Sequence, residues 1–124
     1  MDTKNVFGEP LTVCSNKPLT GFFRDGCCNV NEQDKGLHSV CIIATEEFLA
    51  FSKAMGNDLS TPRPEYQFDG LKPGDRWCLV AVRFLQAVQA NAAPKIVLEA
   101  TNERTLDVVK MEDLIQHAYY ETEK

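Results

Sequence analysis

The stretch "SVCIIATEEFLAFSKAMG", residues 39–56, decides the fold class. Its first part, 39–44, is a continuous apolar run rich in β-branched residues, the pattern of a strand covered on both faces. The period then changes. Thr45 is placed to cap a helix, and Glu46 and Glu47 sit where the helix dipole favours negative charge. Phe48, Leu49, Phe51, Ser52 and Met55 form an apolar stripe, and Gly56 supplies the stop. A buried strand running straight into an amphipathic helix calls for a sheet with helices packed on it.

The rest of the chain extends that unit. "RWCLVAV", 76–82, reads as a second strand launched by the turn "KPGD" at 72–75. A short helix follows from about Arg83, with Phe84, Leu85 and Val88 inward, closed near Asn91 and Pro94. "KIVLEA" and "TLDVV" look like a β-hairpin, 95–101 with 105–109, around the turn "TNER". Asn5–Phe7 suits a short edge strand. "MEDLIQHAYY" suits a closing helix with Leu114, Ile115 and Ala118 on one face, followed by a frayed tail at 121–124. The expectation is one α+β domain over residues 1–124. It has a mainly antiparallel sheet of three to five strands and two or three helices, mostly on one face.

Two segments, 8–36 and 57–75, are dense in glycine, proline and polar turn residues. Structureless loops beyond roughly 12–15 residues are uncommon in small domains and are usually functional. Phe22, Phe23, Tyr66, Phe68 and Trp77 lie in or beside them and need cover. Both loops are therefore expected to be ordered and to pack on each other.

Composition narrows the function classes. The 124 residues carry a net charge of −5. An acidic chain lacks the basic stripe that neutralises phosphates, so neither a nucleic acid nor an anionic membrane surface is expected as partner. No apolar run has the length of a membrane span. "MDTKNVFGEP" lacks the basic-then-apolar pattern of a secretory leader, so the expectation is a cytoplasmic protein with its five cysteines as free thiols.

Four sets of residues motivate chemistry. Arg24, Asp25, Asp58, Arg63, Asp75, Arg76 and Trp77 fall in or beside the two loops. They are the expected lining of a cleft for a small, anionic ligand, arginine being suited to bidentate recognition. Cys27 and Cys28 follow Arg24 by three and four residues. One of them as nucleophile, with His38 as base, is the alternative reading of a small thiol-dependent enzyme or redox protein. Cys14, Cys27, Cys28, His38 and Cys41 give a third reading, a structural zinc site. Adjacent cysteines make a poor zinc knuckle, and strand alternation sends His38 and Cys41 to opposite faces, so no metal and no cofactor are expected. In "GNDLSTP", 56–62, the polar side chains are expected to bond their own backbone rather than hold phosphate. Cys41 and Cys78, each inside an apolar strand, are expected to be buried. Oligomeric state is not readable.

"NVFGEPL", "TGFFRDGCC", "EFLAFSKAMGNDLSTPRPEYQFDGLKPGDRWCL" and "VLEAT" resemble the bacterial family called domain of unknown function 2237, from about residue 5 to 117. The resemblance implies a small compact α/β domain and no particular activity. Val80 stands where members carry cysteine, and Asn102 where they carry histidine. Both positions are then expected to serve packing.

Overall fold

The computed structural model describes residues 3–119 except 17, 22, 35 and 67, and of residue 66 only the backbone. It is an α+β domain with a three-stranded antiparallel sheet in the order β2-β1-β3. The central strand β1 is His38–Ile43, and β2 is Arg76–Val80. The third, β3, is only Lys95–Ile96. Three α-helices accompany the sheet: α1 Glu46–Ala54, α2 Ala81–Gln89 and α3 Met111–Gln116.

The 39–56 stretch folds as its pattern predicts. Val40, Cys41 and Ile42 are fully buried, because β1 has a core on each side. Thr45 accepts the Phe48 amide at 3.1 Å and starts α1. Phe48, Leu49 and Ser52 are its buried face, whereas Met55 falls at the helix end and is exposed. Gly56 follows at φ +90°, the left-handed backbone that glycine adopts without penalty.

Strand alternation separates two cores. Val40 and Ile42 of β1 face Leu79 and Trp77 of β2. These four pack with Phe48 of α1, Phe84 of α2 and Leu114 of α3 in the main core. On the other face Cys41 and Cys78 are direct cross-strand partners. They join Cys14, Cys28, Val97 and Ala100 in a smaller core roofed by the first long loop. Both strand cysteines are buried, as expected.

The hairpin over 95–109 does not form. β3 stops at Ile96, and residues 98–100 and 103–107 are 3₁₀ turns. Local side-chain bonds override β propensity here. The Thr101 hydroxyl turns back onto the Val97 carbonyl at 2.9 Å. The Asn102 side chain accepts the Arg104 amide at 2.9 Å. Val97, Leu98 and Ala100 are all buried, which an alternating strand with one wet face would not allow.

Four smaller expectations also change. β2 ends at Val80 and α2 begins at the next residue, where the Ala81 amide donates to the Leu37 carbonyl at 2.9 Å. Asn5 and its neighbours form isolated bridges, Lys4 with Pro10 and Asn5 with Asn102, instead of an edge strand. The last helix stops at Gln116 because the following backbone turns to β3: Ile96 donates to the His117 carbonyl, and Tyr119 donates to Ile96. Ile115 is consequently exposed, while Leu114 and Ala118 are buried. The tail 121–124 lies outside the described residues.

Candidate functional site

Each long loop is held by its own short-range bonds. In the first, Arg24 is bent to φ +54°. Its amide and its guanidinium both donate to the Gly21 carbonyl, at 3.0 and 2.9 Å. Asp25 accepts the Cys27 amide at 3.0 Å and the Asn29 side chain at 2.9 Å, so it serves the loop itself. In the second loop Asp58 accepts the Thr61 hydroxyl at 2.6 Å and the Ser60 and Thr61 amides at 3.0 and 3.2 Å. The Thr61 hydroxyl foremost, with the two amides and Lys53 assisting, holds the Asp58 carboxyl down to about 2. Arg63 and Phe68 exchange backbone bonds at 2.7 and 3.1 Å. Gly70, at φ +83°, lets the chain pass so close to Ser60 that a Cβ there would fall on the Ser60 carbonyl oxygen.

The loops meet over Trp77. The Arg24 guanidinium carbon stands 5.1 Å from the Trp77 ring centroid, within cation–π range. Phe68 packs on the same indole, centroids 5.2 Å apart. A cavity of about 190 Å³ opens there, lined by Arg24, Asp58, Leu59, Arg63, Phe68 and Trp77. A second cavity of about 130 Å³ shares Arg24, Leu59 and Trp77 and adds His38, Asn57, Cys78, Leu79 and Val80. Of the seven expected lining residues, Arg24, Asp58, Arg63 and Trp77 converge on this cleft. Asp25 and Asp75 are spent on turns, the latter accepting the Lys72 amide at 2.9 Å. Arg76 begins β2 opposite Ile43. Phe22 and the Tyr66 side chain lie outside the described residues.

His38 has a partner the residue pattern did not suggest. Its Nδ1 lies 2.7 Å from Asp34 Oδ1, and the other Asp34 oxygen accepts the His38 amide at 2.8 Å. The Asp34 side chain is only 1% exposed against 37% for the imidazole. A buried carboxylate bonded at Nδ1 fixes the orientation of the imidazole.

The cysteines overturn the free-thiol expectation. Cys14 is bonded to Cys41, and Cys28 to Cys78. Each bridge ties the first loop to a strand across the smaller core. Among the described residues Cys27 alone is a free thiol. Burial first, and the Asp25 charge second, push its pKa up. It is the reverse of an activated nucleophile, since burial and then the Asp25 carboxylate both disfavour the thiolate. Cys28, consumed in a disulfide, is no nucleophile either. The zinc set read from the sequence is not what converges, since Cys78 joins Cys14, Cys28 and Cys41 in place of Cys27 and His38.

Residues 4–118 match the family described as an uncharacterized protein conserved in bacteria, domain of unknown function 2237. The chain belongs to this family. No curated protein matches it at a significant level. Domain of unknown function 2237 carries no assigned activity, so the site has to be argued from its geometry. Of the two positions singled out by the resemblance, Val80 lines the smaller cavity and packs against Gly36. Asn102 is buried, donating to the Cys28 carbonyl at 3.0 Å. Asp34, the hydrogen-bonding role of Asn102 and the pairing of Cys78 escaped sequence reading. Their only local signals are an Asp four residues before a His, and an Asn at a turn.

Proposed function

We propose that this protein is a binding module for a small oxyanion-bearing molecule, a carboxylate or a phosphate, held where the two long loops meet. The observation that carries the reading is Arg24 lying on the Trp77 face in a cavity that Arg63 also lines. Two guanidinium groups against one carboxylate leave the cleft with a cationic excess in an acidic protein. Phe68 and Trp77 give the apolar wall that small-ligand sites combine with a few polar groups. Thermal-shift and calorimetric titrations with small carboxylates and with phosphate monoesters, as separate arms, test it. A ligand at one hundred times its Kd stabilises the fold by about 2.7 kcal/mol. Arg63→Ala should abolish that gain, and Arg63→Lys should restore little of it, because lysine lacks the bidentate fork. If no compound of either arm shifts the wild type, or if Arg63→Ala binds as well, the proposal fails.

The His38–Asp34 pair supports a second reading, in which the bound molecule is also turned over. A histidine oriented by a buried carboxylate at the edge of a cavity is suited to proton transfer. His38→Ala would then stop turnover while leaving binding intact. A cytoplasmic setting belongs to the same proposal. Reductants there keep cysteines as thiols, so thiol trapping in fractionated cells would check both the compartment and the state of the bridges.

A further inference from the structure

We propose that Cys14, Cys28, Cys41 and Cys78 form a four-thiolate zinc site when reduced, which the two disulfides replace on oxidation. The inference is independent of the cleft. Two disulfides that merely staple a loop have no need to touch, yet the sulfurs of Cys14, Cys28 and Cys78 lie within 4.8 Å of one another. The fourth, Cys41, is bonded to Cys14. A tetrahedron with Zn–S of about 2.3 Å has edges of about 3.8 Å. The Cys14 sulfur lies within 4.8 Å of both sulfurs of the Cys28–Cys78 bridge, and each opened bridge must widen by about 1.7 Å from a normal S–S bond. Side-chain rotation supplies such a change over Cα separations of 5.7 and 5.3 Å.

The frame suits a structural metal. Cys41 and Cys78 are facing partners on adjacent strands, so two ligands sit on rigid backbone. The two loop ligands are also tied: the Cys14 amide donates to the Gly26 carbonyl at 2.8 Å, and the Cys28 carbonyl accepts from Asn102. All four are at most 4% exposed, which closes the site as structural zinc sites are closed. Four soft thiolates select zinc over harder cations.

The chemistry balances with a dithiol as reductant. Each disulfide takes two electrons and two protons from one dithiol, which becomes its own disulfide. The four resulting thiols bind one Zn²⁺ and release four protons. Cys27 is not a ligand.

The test uses the full chain, reduced with a phosphine, desalted without oxygen, and given one equivalent of zinc or cobalt. The expected result is one metal per chain and, with cobalt, thiolate-to-metal charge-transfer absorption. Alkylation followed by peptide mapping should then label Cys27 alone until a chelator exposes the other four. Cys27→Ser should bind as the wild type does, and Cys41→Ser should lose stoichiometric uptake. A reduced wild type that takes up no zinc, folded or unfolded, would overturn the proposal. So would protection of Cys27 in place of one of the four, a result the mapping gives even where a variant fails to fold.

Discussion

Asn102→Ala removes a buried side chain that ties the first loop to the 103–107 turn. Its Nδ2 donates to the Cys28 carbonyl at 3.0 Å, and its Oδ1 accepts the Arg104 amide at 2.9 Å. Asn102 is 2% exposed and Cys28 not at all, so water does not replace the lost donor. Leaving a buried carbonyl without that donor costs about 1–3 kcal/mol. Losing the cap of the 103–107 turn costs about 1 kcal/mol more. The expected loss is about 2–4 kcal/mol out of the 5–15 typical of a domain. At this chain length that corresponds to a fall in Tm of roughly 8–16 °C. Asn102→Asp keeps the acceptor for Arg104 but sets a carboxylate oxygen against the Cys28 carbonyl, and should destabilise at least as much. Urea unfolding of the oxidised protein, with unchanged m-value, is the assay. A loss below about 0.5 kcal/mol in Asn102→Ala, or wild-type stability in Asn102→Asp, would refute the reasoning.

Thr45→Ala should cost about 1 kcal/mol in the same assay, because the Phe48 amide loses its acceptor, while Thr45→Ser should be near neutral. Equal losses in both would mean the hydroxyl is not the cap. The Asp58 carboxyl should titrate near 2 by NMR. Its folded pKa lies below the ordinary 3.8, so its contribution to loop order is complete above 3.8 and fades as the pH falls through about 2. Thr61→Val should move the midpoint up towards 3.8, and an unmoved midpoint would contradict the Thr61 hydroxyl as the leading cause.

The strand-then-helix unit at 38–54 was legible because its causes are local: a β-branched apolar run, a capping threonine, two early glutamates and a terminal glycine. Asp58 was legible for the same reason, since an Asx turn is closed within four residues. The hairpin was misread because "KIVLEA" has strand composition, whereas its fate depends on Thr101, on Asn102 and on the Cys41 carbonyl, which accepts the Val97 amide at 2.8 Å across the sheet. Cys28 and Cys78 are 50 residues apart in the chain, and nothing in their spacing says that they bond. Their meeting follows from the β1–β2 register, which sets Cys41 opposite Cys78 on one face, where Cys14 and Cys28 of the first loop cover it beside Val97 and Ala100. The sequence by itself determined the α+β class, both buried strands and the two loops on which the cleft is built. Which arginines share that cleft and which sulfurs converge were decided by tertiary structure, because they meet across segments far apart in the chain, and Asp34 orients His38 only because the fold buries its carboxylate.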